Sequence, residues 1–131
     1  IFINTGQVCL AGSRLYEQRD IYDEFLRRFT QAAQAMVVGD PKQETTQIGP
    51  LASQEHYRKV RGYVETIESE GGSIVTGGLG EGWGVLPTVV TGLGQQARCS
   101  REEIFGPVAV VISRLTPRPR RSGWPTTPAT A

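Results

Sequence analysis

Cysteine is scarce in this chain: 131 residues carry two, Cys9 and Cys99. A small secreted scaffold would carry more of them. Both are therefore read as free thiols in a reducing compartment, and the chain as cytoplasmic. Histidine is scarcer still, with His56 alone. One imidazole and two distant thiols do not make a zinc site, so no metal is expected. An excess of charge of either sign is missing too. The net charge of +1 gives no general attraction to nucleic acid or to a membrane surface. No apolar run approaches the ~18 residues of a spanning helix. The opening IFINTG has neither the basic start nor the long apolar stretch of a signal peptide. Position 1 is not methionine, and further natural chain is expected upstream.

What is present suggests one domain or part of one. The 16 glycines and 8 prolines exceed ordinary usage and predict many turns. Residues 13–18, SRLYEQ, predict a short strand. Asp20 reads as the N-cap of a helix. Ile21, Phe25, Phe29, Ala32, Ala33 and Met36 then recur at helical spacing, which predicts a helix from about Ile21 to Met36. Gly39 and Pro41 stop it. A second helix is expected after Ser53, with Tyr57, Val60, Val64 and Ile67 as its apolar stripe and glycines 71 and 72 as its end. SIVTGG (73–78) and AVVIS (109–113) read as strands. VLPTVV (85–90) reads as extended, and Pro87 marks an edge or a bend. The glycines of GGLGEGWG (77–84) lack the strand–turn–helix context of a phosphate loop. The expected fold class is α/β.

The chemistry-bearing run is INTGQVCLAGSR, residues 3–14. A lone cysteine is most often a small buried hydrophobe. Around Cys9, however, Gly6 and Gly12 permit close backbone approach, and the bulky residues stand outside the run. A thiol in a loop or at a helix start can gain a lowered pKa, and its own N–H can face an oxyanion. His56, beside a helix cap, reads as exposed and without a catalytic partner. Cys99 reads as a free loop thiol.

NTGQVCLAGSRLY resembles the catalytic cysteine motif of the NAD(P)-dependent aldehyde dehydrogenase superfamily. EEIFGPV (102–108) resembles the second signature of that family, on its nicotinamide side. VGDP (38–41) and LPTVV (86–90) stand where the same family has them, and the likeness extends to muconate-type semialdehyde dehydrogenases. It covers residues 1 to about 114. The resemblance implies a fragment of the aldehyde dehydrogenase catalytic domain. It implies Cys9 as the nucleophile toward an aldehyde carbon, Glu103 as the acceptor for the nicotinamide ribose hydroxyls, and Phe105 as the aromatic beside the nicotinamide ring. It implies NAD or NADP as cofactor, a small aldehyde as substrate, and a homo-oligomeric parent enzyme. Taken without the resemblance, Glu103 is a solvated charge and Phe105 a core residue. Asn4 does not inherit the oxyanion role, because the family's oxyanion asparagine comes from an upstream segment. The dinucleotide-binding domain and the general-base glutamate would also lie upstream, so the isolated chain is expected to be inactive.

Residues 1–115 are expected to form the partial catalytic domain, and 116–131 a non-homologous, disordered tail. TPRPRRSGWPTTPATA (116–131) holds four of the eight prolines and no Leu, Ile, Val or Phe; it cannot bury a core face. GC-rich codons can be chosen for it that, shifted by one base, read DAEAEAIRLANDTGYG. That is an acidic, Ala-rich helix former of the kind the family carries after this strand. A one-base frameshift after Leu115 accounts for the change of character. The alternative is a non-catalytic remnant whose basic RPRR binds an acidic partner. Resequencing the coding strand separates the two. Stops in the alternative frame would remove the frameshift reading.

Overall fold

A computed structural model describes residues 1–114, and the tail reading lies outside them. A short 3₁₀ turn (Ile3–Gly6) precedes β1 (Arg14–Gln18), α1 (Arg19–Gln34), α2 (Gln54–Thr66), β2 (Ser73–Leu79), β3 (Val85–Thr91), α3 (Arg98–Arg101) and β4 (Val108–Arg114). The four strands form one sheet in the order β1-β4-β3-β2. β4 is parallel to both neighbours, with Leu15 opposite Val111 and Val90 opposite Val110, and β2 runs antiparallel to β3.

The sheet is covered on both faces. Successive strand residues point to opposite sides. Val108 and Val110 therefore join Val60 and Val64 of α2 and Ile67 just after it, while Ala109 and Val111 join Phe2 and Ala33 on the α1 side. A strand buried on both faces has no polar alternation to show, which is why 108–112 is a continuous apolar run. The fold is α/β, with the expected strands in place.

Several local expectations are corrected. Asp20 is not the N-cap of α1. The helix leaves β1 directly, with Gln18 as cap and no side-chain cap bond, so Asp20 lies in the first turn. The packed face is turned from the expected one. Ile21 is half exposed and Ala32 exposed, while Tyr22 and Leu26 pack with Phe25, Phe29 and Met36. α2 is capped as expected, Ser53 Oγ accepting the His56 N–H at 3.1 Å, but it ends at Thr66, ahead of the glycines.

Pro87 is not on an edge strand, since β3 is interior. It sits at the register shift where Thr76 pairs with Val89 and Gly78 with Leu86. That leaves Pro87 and Thr88 opposite Gly77, a bulge that absorbs the missing N–H. Thr88 Oγ1 repairs the ladder there, accepting the Gly78 N–H at 2.9 Å and donating to the Leu86 carbonyl at 2.6 Å. GGLGEGWG becomes the β2–β3 hairpin, closed by Gly80 N–H on Gly84 O at 3.0 Å. It joins strand to strand, so the context of a phosphate loop is absent.

Candidate active site

Cys9 stands at the tip of a turn rather than at a helix start. The Ala11 N–H bonds the Val8 carbonyl at 2.9 Å, which leaves Cys9 and Leu10 at the exposed corner. The base of this turn is held in an unusual backbone. Asn4, Thr5 and Gly6 have φ of 52°, 56° and 70°. Left-handed backbone at a non-glycine residue costs about 1–2 kcal/mol, so the surroundings must enforce it. Gln7 does so from one side: its amide donates to the Asn4 carbonyl at 3.4 Å and accepts the Ala52 N–H at 3.1 Å. Thr5, buried, donates to the Gly49 carbonyl at 3.2 Å. Phe2 stacks on Phe29 of α1 at 5.6 Å. The Asn4 amide donates locally, to the Gln7 carbonyl at 3.1 Å.

Residues 102–107 form a strap between α2 and this turn. Its anchor is Glu102, the glutamate the sequence reading passed over. The Tyr63 hydroxyl donates to its carboxylate at 2.7 Å, the Arg14 guanidinium donates to its main-chain carbonyl at 3.0 Å, and Arg98 lies 3.5 Å from the carboxylate. The Tyr63 hydroxyl, and then Arg98, hold the Glu102 carboxyl below its ordinary range. Arg98 also lies over the Tyr63 ring, 4.5 Å from its centre. Ile104 is buried beneath the strap. The next side chain, Glu103, is exposed, and its carboxylate has no hydrogen bond or ion pair among the described residues. Of two adjacent glutamates, Glu102 is engaged and Glu103 is not, among the described residues.

The turn and the strap meet. A Cβ built on Gly6 would lie 2.2 Å from the Gly106 carbonyl oxygen. Gly6 is therefore required for close approach, as expected. Nothing lies within 4 Å of such an atom on Gly12, which corrects the same expectation there. A small cavity is lined by Gly6, Val8, Ala11 and Ser13 from the turn and by Glu103 and Phe105 from the strap. Val8 and Ala11 of the Cys9 turn thus share this cavity with Glu103 and Phe105, while Cys9 itself is exposed and is not among the lining residues. A cleft of about 460 Å³ lined by Asp40, Pro50, Glu81 and Trp83 lies elsewhere and includes none of them.

His56 is not exposed, contrary to expectation. It is half-buried, and its Nε2 lies 2.6 Å from the Phe105 carbonyl oxygen. Nothing local in the sequence marks this pairing, because the partners stand 49 positions apart. Cys99 is not a loop thiol either. It is fully buried in α3, its Sγ 3.8 Å from the Tyr63 carbonyl. Burial, and after it the charge of Glu70, pushes this thiol up to about 11. A thiolate is the reactive form. At pH 8 in the native chain, a thiol reagent should therefore modify Cys9 rapidly and Cys99 only on unfolding. Mass spectrometry of the modified peptides checks this. Equal labelling of both would contradict the buried position of Cys99.

Likenesses to known proteins bear on the family and the fold. Residues 1–116 match the family model described as Aldehyde dehydrogenase family. A betaine aldehyde dehydrogenase of Rhizobium johnstonii is 43% identical over 117 residues, covering 85% of this chain and 24% of that one. A 2-aminomuconic semialdehyde dehydrogenase of Mus musculus is 41% identical over 121 residues, covering 85% and 25%. Among solved structures, betaine aldehyde dehydrogenase from Staphylococcus aureus in complex with NAD+ superposes with a TM-score of 0.79 at 32% identity, covering 86% of this chain and 24% of that one. Aldehyde dehydrogenase 21 from Physcomitrella patens, in complex with the reaction product succinate, gives 0.80 at 33%, covering 84% and 23%. The chain spans about a quarter of the length of the relatives it matches.

Proposed function

The chain belongs to the aldehyde dehydrogenase family, and on that premise we propose that it is the nucleophile-bearing part of an enzyme oxidising an aldehyde to a carboxylate with NAD or NADP. The observation that carries this reading is the meeting of the Cys9 turn with Glu103 and Phe105 around one cavity. Cys9 is the nucleophile. Its sulfur adds to the aldehyde carbon to form a thiohemiacetal. Loss of hydride leaves a thioester on Cys9, and water hydrolyses the thioester, releasing the carboxylate and the free thiol. Covalent catalysis of this kind divides one difficult step into easier ones.

The residues fit a nicotinamide dinucleotide. Glu103 is an unengaged carboxylate, an acceptor suited to a pair of ribose hydroxyls. Phe105 offers a half-buried ring at the same cavity. When bound, the cofactor supplies the hydride acceptor. The protein's own share is to present the thiol at a rigid turn and to keep Glu103 clear of competing ion pairs. NAD stands in the Staphylococcus aureus relative, which supports NAD here. The parent enzyme is further proposed to be a cytoplasmic homo-oligomer. The family match stops at residue 116, which supports taking 116–131 as the product of a shifted frame.

Three measurements test the reading. The full-length enzyme should reduce NAD(P) in the presence of aldehydes, and absence of aldehyde-dependent reduction overturns it. The 131-residue chain alone should neither oxidise aldehydes nor bind NAD with micromolar affinity by calorimetry, since the dinucleotide crevice belongs to other parts of the enzyme. In the full-length enzyme, Glu103→Gln should weaken cofactor use about tenfold, as loss of a charge-assisted hydrogen bond does, while Cys9 still acylates. A Glu103→Gln enzyme that cannot acylate would assign Glu103 a different role.

A further inference from the structure

His56 lies in the first turn of α2, and nothing assigned to Cys9, Glu103 or Phe105 uses it. Its ring crosses to the strap twice. Nε2 meets the Phe105 carbonyl at 2.6 Å, and the imidazole sets its edge on the Phe105 ring, with centres 5.9 Å apart and planes at 66°. A carbonyl oxygen only accepts, so in the neutral ring Nε2 carries the proton. The bonded residue is the one whose backbone is out of place. Phe105 has φ 58°, a region that bulky side chains avoid. One turn further along the same face of α2, Val60 presses on the next residue: a Cβ on Gly106 would lie 2.9 Å from its methyl groups. The first turns of α2 thus grip Phe105 and Gly106 together. Beyond them, the Gly106 carbonyl abuts Gly6 at the base of the Cys9 turn.

We propose that His56 is a positioning residue of the active site. Its Nε2–H holds the Phe105 carbonyl, keeps the left-handed backbone there, and so sets where the Phe105 ring points and how the strap meets the Cys9 turn. The backbone claim stands on its own; its catalytic consequence rests on the dehydrogenase reading above.

NMR of the labelled 131-residue chain tests the first part. Neutral His56 should show the Nε2–H tautomer, and Phe105 the carbon shifts of a positive-φ residue. His56→Gln keeps a side-chain N–H donor and should preserve the Phe105 signature. His56→Leu should lose it and speed amide exchange at Gly106 and Val108 at least about tenfold, with the α2 signals unchanged. An Nδ1–H tautomer, an undisturbed Phe105 in His56→Leu, or a His56→Gln chain behaving like His56→Leu overturns the proposal. In the full-length enzyme, His56→Leu should raise the cofactor KM on the order of tenfold or more, the scale of a small misplacement. Alkylation of Cys9 should stay within a factor of about two, and His56→Gln should restore the KM. Loss of Cys9 alkylation together with cofactor use would mean that the fold, not the Phe105 carbonyl, was affected. A wild-type enzyme without aldehyde-dependent activity sinks the dehydrogenase reading and leaves the NMR result to decide the His56 bond by itself.

Discussion

Cys9→Ala in the full-length enzyme should lower aldehyde-dependent NAD(P) reduction by on the order of 10⁴-fold or more, the usual scale for deleting a covalent nucleophile. The loss should fall on kcat, with cofactor affinity retained, because Glu103 and Phe105 belong to a strap that Glu102, Tyr63 and Arg14 hold independently of the thiol. Cys99→Ser is the informative comparison. Cys99 is fully buried beside the Tyr63 carbonyl, so a hydroxyl there costs stability, about 1–3 kcal/mol for a poorly satisfied buried group. That change should lower the melting temperature and leave kcat within a factor of about two where the enzyme is folded. Stopped-flow kinetics with a mass measurement of the acylated peptide checks both. Comparable losses of kcat in the two variants would remove Cys9 from its role.

The second large effect is expected at Gly6→Ala. The added methyl would meet the backbone of the neighbouring loop: Gly106 O at 2.2 Å, Gly106 C at 2.3 Å and Pro107 N at 2.7 Å. These atoms belong to a strap pinned on its far side by Val60 and His56, so they have nowhere to retreat. Gly6 also sits at φ 70°, where a side chain is strained even in open space. Overpacking and backbone strain together should cost about 3 kcal/mol or more, read as a fall in the urea midpoint with an unchanged slope. Gly12→Ala, three residues past Cys9, has open space around it and should change stability by no more than ~0.5 kcal/mol. If the two variants proved equally stable, turn and strap would not be interlocked as described. In the full-length enzyme Gly6→Ala should also depress turnover beyond its stability cost, because it pushes the Cys9 turn away from the strap at Gly106.

The elements that needed only local information were legible early. Ser53 caps α2 because a serine side chain three residues before a free N–H is a short-range arrangement. β4 was visible as an apolar run, and α1 as a periodic one. The face of α1 was misjudged by part of a turn: Ile21 fits the period as well as Tyr22 does, and only the position of β1, which feeds straight into the helix, decides which of them meets the sheet. At Pro87, of the edge or bend expected, only the edge is ruled out. Proline excludes a regular interior pairing, and a bulge repaired by the Thr88 hydroxyl meets that exclusion as well as an edge does. Of the two glutamates 102 and 103, only Arg98 four positions earlier is a local hint, since Tyr63 and Arg14, which also engage Glu102, come from α2 and β1.

By itself the sequence determined the α/β class, the approximate helices and strands, and the two motifs. These depend on side-chain periodicity and on residue types within a few positions of one another. The tertiary structure alone decided that the two motifs share a cavity, that Glu102 is engaged and Glu103 free, that Cys99 is buried, and that His56 reaches Phe105. Each of these joins residues dozens of positions apart, and such contacts arise only when the sheet closes in the order β1-β4-β3-β2 and α2 packs across it. The physical reason is range. Capping, turn chemistry and amphipathic period act over a few residues of chain, whereas the close approach of Gly6 to Gly106 and the bond from His56 to Phe105 are properties of packing, which the chain encodes only as a whole.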